Sequence, residues 1–141
     1  MVDAMRKLLL FVLLLGLGTP ILVAQNARAQ QRFAGTWEAR LKDKVICTIK
    51  LEAANPISGT THACNINVDS EGELIEPETS DDKTDPILDP KIDGEKLSFA
   101  VKDEDGGEPL KFELKLTGDG KAELRFLNAP VTIKPIHFEK K

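Results

Sequence analysis

The chain has no tyrosine, one tryptophan, two cysteines and two histidines in 141 residues. Each scarcity excludes something. A glycosidase needs paired carboxylates, usually beside an aromatic sugar platform, and the acidic residues here gather on turns with no aromatic residue near them. His62 and His137 stand far apart, and without a CxxC pair they make no metal signature. There is no Gly-x-Ser-x-Gly elbow and no glycine-rich phosphate loop leading into a helix. Basic residues do not dominate either. At a net charge of −4 the chain lacks the clustered Lys and Arg that nucleic-acid phosphates require. The reading is a non-catalytic protein with no catalytic residues, no metal, no cofactor and no nucleic-acid partner.

What is present begins with an export signal. Arg6 and Lys7 precede an apolar run from Leu8 to Gly18, and Ala27-Arg28-Ala29 supplies an A-x-A cleavage pattern, so residues 1–29 read as a signal peptide. A retained anchor is the rival reading. Against it, the apolar stretch from Leu8 to Ala24 is short of the roughly 20 residues a span needs, and Gly16, Gly18 and Pro20 interrupt it. No cysteine near the cleavage point could carry a lipid. Cleavage removes Arg6, Lys7, Arg28 and Asp3, which moves the net charge from −4 to about −6 and leaves residues 30–141 as one domain. The expected product is periplasmic or extracellular, monomeric and without a membrane span.

Period-two alternation organises that domain. Trp37, Ala39 and Leu41 alternate with charged residues, and so do Leu97, Phe99 and Val101; Leu110, Phe112, Leu114 and Leu116; and Ala122, Leu124 and Phe126. Asp93-Gly94 and Gly118-Asp119-Gly120 read as tight turns. Val131 to Phe138 reads as a last strand, with Pro135 marking a bulge or an edge. A hairpin centred between Asn55 and Pro56 places Cys47 opposite Cys64, Val45 opposite Ile66, Ile49 opposite His62 and Leu51 opposite Thr60. Val45, Cys47, Ile49, His62 and Cys64 then share the apolar face. Two cysteines in an exported chain most simply form one disulfide. It would close a loop of about 18 residues, for roughly 3 kcal/mol in the chain-entropy account. A metal-binding or catalytic thiol is the competing use.

Asp69 to Pro90 is proline-rich and acidic and reads as a long loop, functional or mobile by its length. Asp81, Asp82, Asp85 and Asp89 lie in it at spacings that do not follow a calcium loop, so a solvated acidic loop is expected. The expected fold is all-β: an antiparallel, seven- to eight-stranded up-and-down barrel, which hides a one-sided apolar face and removes edges. A two-sheet β-sandwich is the alternative.

The opening Phe33-Ala34-Gly35-Thr36-Trp37 resembles the start of calycin barrels, the lipocalin and avidin group, which begin with Gly-x-Trp. The runs GTWEARLK, IDGEKLSFAVK and KFELKLTGDGKAEL further resemble a secreted bacterial β-barrel module found alone or ahead of larger exported enzymes. The resemblance implies that Trp37 packs across the closed end. The second lipocalin signature is not evident, and with one tryptophan the avidin biotin set is missing. A weaker resemblance, to small periplasmic inhibitors of metalloproteases, rests on the Gly-x-Trp start and the position of Cys47 and Cys64; their later tryptophan motif is absent.

Two roles are open. In the first, the barrel interior takes a small apolar ligand, with Trp37, Ile49, His62, Phe99, Phe112 and Phe126 as candidate contacts. His62 has a plainer reading as a partly buried, hydrogen-bonded histidine, and the apolar set could instead fill a small barrel completely. In the second, the protein contacts an exported protein, inhibitor-like, through the 69–90 loop. Intact-mass analysis of the exported protein is expected to show loss of residues 1–29 and a mass two hydrogens below the reduced value. A full-length mass would identify an anchor instead.

Overall fold

Alternating apolar and charged side chains make strands whose one face must be covered, and here the sheet covers it by curling on itself. The computed structural model describes residues 27–77, 82–103 and 105–141. Residues 27–33 are helical. The strands follow as β1 (Gly35–Leu41), β2 (Lys44–Glu52), β3 (Ser58–His62), β4 (Asn67–Val68), β5 (Leu74–Ile75), β6 (Thr84–Pro86), β7 (Leu88–Asp93), β8 (Lys96–Val101), β9 (Leu110–Gly118), β10 (Lys121–Phe126) and β11 (Ile136–Lys140). Nine form one antiparallel sheet in the order β6-β3-β2-β1-β11-β10-β9-β8-β7, and β4 and β5 form a separate hairpin.

The two ends of that order are neighbours in the chain. β6 pairs with β3 (Thr61 opposite Asp85), the Ile87 amide donates to Gly59 O at 3.0 Å, and from Leu88 onward the chain pairs with β8. Residues 84–93 thus act as one interrupted strand, bonded to β3 in its first part and to β8 in its second. The result is a nearly closed all-β barrel. The acidic, proline-rich stretch is therefore only partly a loop. It supplies β5, β6 and the start of β7, and Ile87 is buried. Its prolines are tolerated because pairing is one-sided on either part. Pro90 sits where the β7–β8 register slips between Leu88 and Lys91, beside Asp89 at a φ of +49°.

The β2–β3 register differs from expectation by one residue. Residues 53–57 form an odd-length connection with Ile57 buried, so Glu52 pairs with Ser58, Ile49 with Thr61 and Thr48 with His62. A slip of one exchanges the faces. Thr61 points inward and His62 does not. Cys47 and Cys64 are nevertheless bonded as a disulfide. Ala63, at a φ of +48°, breaks the strand, and the Asn65 amide then donates to Ile46 O, which carries Cys64 back beside Cys47. Val45 also departs from its expected inward place. The β1–β2 pairing runs from Ala39–Cys47 to Arg40–Val45, leaving Ile46 as an extra, buried residue and turning Val45 outward at 42% exposure. The last strand begins only at Ile136, so Val131 and Pro135 belong to a connection.

The closed end is built around Phe33 and Trp37, both fully buried. Burying a side chain of this size contributes on the order of 1.5–3 kcal/mol. The Trp37 indole N–H donates to Phe33 O at 2.8 Å, tying the helical turn to β1. Lys140 Nζ lies 5.1 Å from the indole centroid and donates to Arg32 O at 3.1 Å, which closes the same corner from β11. Gly35, at a φ of +128°, makes the bend that lets the chain pass beneath Lys140. Trp37→Phe keeps an aromatic ring and removes the donor to Phe33 O. It is expected to destabilise the protein by about 1–3 kcal/mol in denaturant melts, whereas exposed Val131→Ala should stay within about 0.5 kcal/mol.

Candidate functional site

At the end of the barrel away from Trp37, the strands line a half-open cavity of about 330 Å³. This lies at the small end of the range for ligand pockets. Its wall comes from inward positions of β2, β8, β9 and β10: Ile49, Phe99, Phe112, Leu124 and Phe126. The three phenylalanines make a continuous aromatic strip. Phe99 and Phe112 stack at 5.4 Å between centroids, and Phe126 meets Phe112 edge-on at 4.7 Å. The Cys47–Cys64 bridge forms part of the wall. Of the expected contacts, Ile49, Phe99, Phe112 and Phe126 are brought together; Trp37, bonded to Phe33 at the other end of the barrel, is not among the lining residues. His62 is not part of the lining. Its Nδ1 is 2.7 Å from Thr84 Oγ1, a link between β3 and β6.

Polar groups enter the cavity from positions that the pattern of apolar residues did not mark. Thr61 and Asp85 are cross-strand partners on β3 and β6, and both line it. Thr61 is the buried polar residue among those described, at 8% exposure. The Asp85 carboxylate is 22% exposed and lies 3.7 Å from Lys83 Nζ, so Asp85 is not the fully solvated loop residue expected. Asp81 lies outside the described residues. Lys102, Asp103 and Asp105, from the β8–β9 connection, stand at the rim. The signal for Thr61 and Asp85 was a shift of one in register and a strand hidden behind prolines.

The mouth is braced by the β4–β5 hairpin. Asp69 Oδ1 accepts the amides of Glu71 (2.9 Å) and Glu73 (3.0 Å), an Asx-type turn. The Lys134 amide donates to Gly72 O at 3.0 Å, and Lys134 Nζ pairs with Glu73, which ties the hairpin to the 127–135 connection. Lys44 Nζ pairs with Glu76 at 3.1 Å on the other side. At Gly72 a Cβ would stand 2.6 Å from Thr132 O, so the crossing needs glycine. Leu74, Ile66 and Ile133 pack on the core from this cover.

Comparisons with protein-family models, with curated proteins and with solved structures give no match for this chain. The architecture itself, a nearly closed antiparallel barrel, is compatible with a calycin-like fold. Among the described residues no helix is long and apolar enough to cross a membrane, and no group of His, Cys, Asp and Glu is arranged to hold a metal ion.

The two tethers respond to pH in opposite directions. The hydrogen bond and charge of Lys44, with Lys42 adding to the field, hold Glu76 below the ordinary 4.5. Glu73 raises Lys134 above the ordinary 10.5. The depressed Glu76 contributes above its unfolded pKa, and that contribution is lost as pH falls through the folded value. The raised Lys134 contributes fully below its unfolded pKa, and loses that as pH rises through the folded value. Both tethers are therefore in place at neutral pH. In an NMR pH titration, the Glu76 carboxyl is expected to show a midpoint below 4.5 that returns toward it in Lys44→Met.

Proposed function

We propose that this is an exported, non-catalytic carrier whose barrel holds a small apolar ligand. The observation that carries the reading is the cavity of about 330 Å³ behind the aromatic strip Phe99–Phe112–Phe126. A packed interior is the ordinary state of a small barrel, so space kept at one end while Phe33 and Trp37 fill the other calls for an occupant. The four large exposed apolar side chains among the described residues support the same reading by their location. Val45, Ile75, Leu127 and Val131 all belong to segments at the open end, where an apolar ligand would first touch the protein. Export rests on the signal-like residues 1–29, which lie mostly outside the described residues, and agrees with a disulfide, a bond that persists in oxidising compartments. Membership of the secreted bacterial Gly-Thr-Trp module rests on the sequence resemblance alone.

The same exposed side chains favour a second reading, a protein contact made by the open end, as the weaker resemblance to metalloprotease inhibitors implies. That contact would use the β4–β5 hairpin and the 127–135 connection in place of one long loop.

Native mass spectrometry of protein taken from its own compartment is expected to reveal a non-covalent adduct that is lost on denaturation. Butylbenzene added to ligand-free protein should raise its melting temperature, since a ligand at 100 times its Kd adds about 2.7 kcal/mol. Ile49→Trp, which fills the cavity, should abolish that shift. A bare protein that no apolar compound stabilises would leave the open-end contact as the better reading.

A further inference from the structure

The cavity is not uniformly apolar, and behind its rim the polar groups are a hydroxyl and a carboxylate. Thr61 is more than nine-tenths buried, lines the cavity and makes no side-chain hydrogen bond to another described residue. Every fully enclosed polar side-chain atom among the described residues has a partner, so the unpartnered Thr61 hydroxyl is one that reaches the cavity space. Beside it, at the paired position of the neighbouring strand, the Asp85 carboxylate also faces in. A hydroxyl and a carboxylate side by side on an otherwise apolar wall accept hydrogen bonds from a ligand and supply negative charge. Asp103 and Asp105 at the rim extend the same sign, against Lys102 there and Lys83 beside Asp85. The Lys83 contact, at 3.7 Å, is longer than a hydrogen bond, so it offsets part of the Asp85 charge without filling its acceptor sites. An aromatic face left uncovered on the Phe99, Phe112 and Phe126 strip favours a cation over an anion.

Resting on the carrier reading above, we propose that the ligand is a small hydrophobic amine. Its ammonium group donates to Asp85 and to the Thr61 hydroxyl, and its apolar body lies along the phenylalanine strip. Size bounds the body. At about 30 Å³ for each water-sized group, the cavity accommodates on the order of ten non-hydrogen atoms. A long-chain fatty acid would overfill this space, and a carboxylate beside Asp85 would meet like charge.

Three probes that share a body and differ at the head separate this from the carrier reading: phenylbutylamine, butylbenzene and phenylbutyrate, each titrated calorimetrically into the oxidised protein. The amine is expected to bind at least about tenfold more tightly than butylbenzene, as a charge-assisted hydrogen bond implies, and phenylbutyrate more weakly than either. Asp85→Asn should bring the affinity of the amine close to that of butylbenzene in the same variant, and Thr61→Val should remove part of the preference. Both variants should melt as the parent does. If Asp85→Asn fails to fold, the three-probe comparison on the parent and Thr61→Val still decide the matter. Equal binding of amine and hydrocarbon would overturn the amine assignment and leave the carrier reading standing. A preference that survives Asp85→Asn would overturn the role of Asp85. Failure of all three probes to bind would remove the carrier reading and the amine with it.

Discussion

The structure depends on closing a one-sided sheet, and it does so with a single strand that serves two neighbours in succession. Residues 84–93 bond first to β3 and then to β8, so neither part needs a donor on both sides. That is why a segment containing Pro86 and Pro90 can occupy a place that a central strand could not give to proline. Nearly every inward side chain is buried because this strand brings the ends of the sheet together. Without it, β3 and β8 would present edges and an uncovered apolar face.

Closure also gives the barrel two unlike ends. At one, Phe33, Trp37 and the Lys140 contacts fill the cross-section with side chains and satisfied polar groups. At the other, the walls carry phenylalanines whose rings touch one another and leave space between themselves and β2–β3. The hairpin over this end is held by hydrogen bonds and exposed ion pairs, with a few apolar side chains beneath it. Exposed pairs of this kind are weak individually.

The alternating strands were legible in the sequence. Phe112, Leu114 and Leu116 on β9, and Ala122 and Leu124 on β10, are buried as their period implies, and Gly94 and Gly120 take positive φ in the turns that join their strands. So was the pairing of the cysteines, although by a route the pattern did not show. Illegible were events that add or remove one residue. The Ile46 bulge turned Val45 outward, and the odd length of the 53–57 connection exchanged Thr61 for His62. Neither changes composition or periodicity over more than a residue or two, while each moves a whole run of side chains across the sheet. The closing strand was hidden for a different reason. Its pairing is long-range, and its prolines and aspartates are what a loop would contain. Four apolar contacts of the cavity could therefore be named in advance, and the polar pair Thr61 and Asp85 could not.

The excursion from Ala63 to Lys83 leaves the barrel immediately before the closing strand and returns through it. Its two ends are held together by the hydrogen bond from the Ala63 amide to Lys83 O. The segment is also fastened to the barrel wall just beyond that gap, by the Cys47–Cys64 disulfide and by the Asn65 amide on Ile46 O. The crossing hairpin thus stands on a root held at three points, the Ala63–Lys83 bond, the disulfide and the Asn65–Ile46 bond. A change confined to the hairpin would redraw the mouth of the cavity and leave the Trp37 corner and the closing of the sheet as they are.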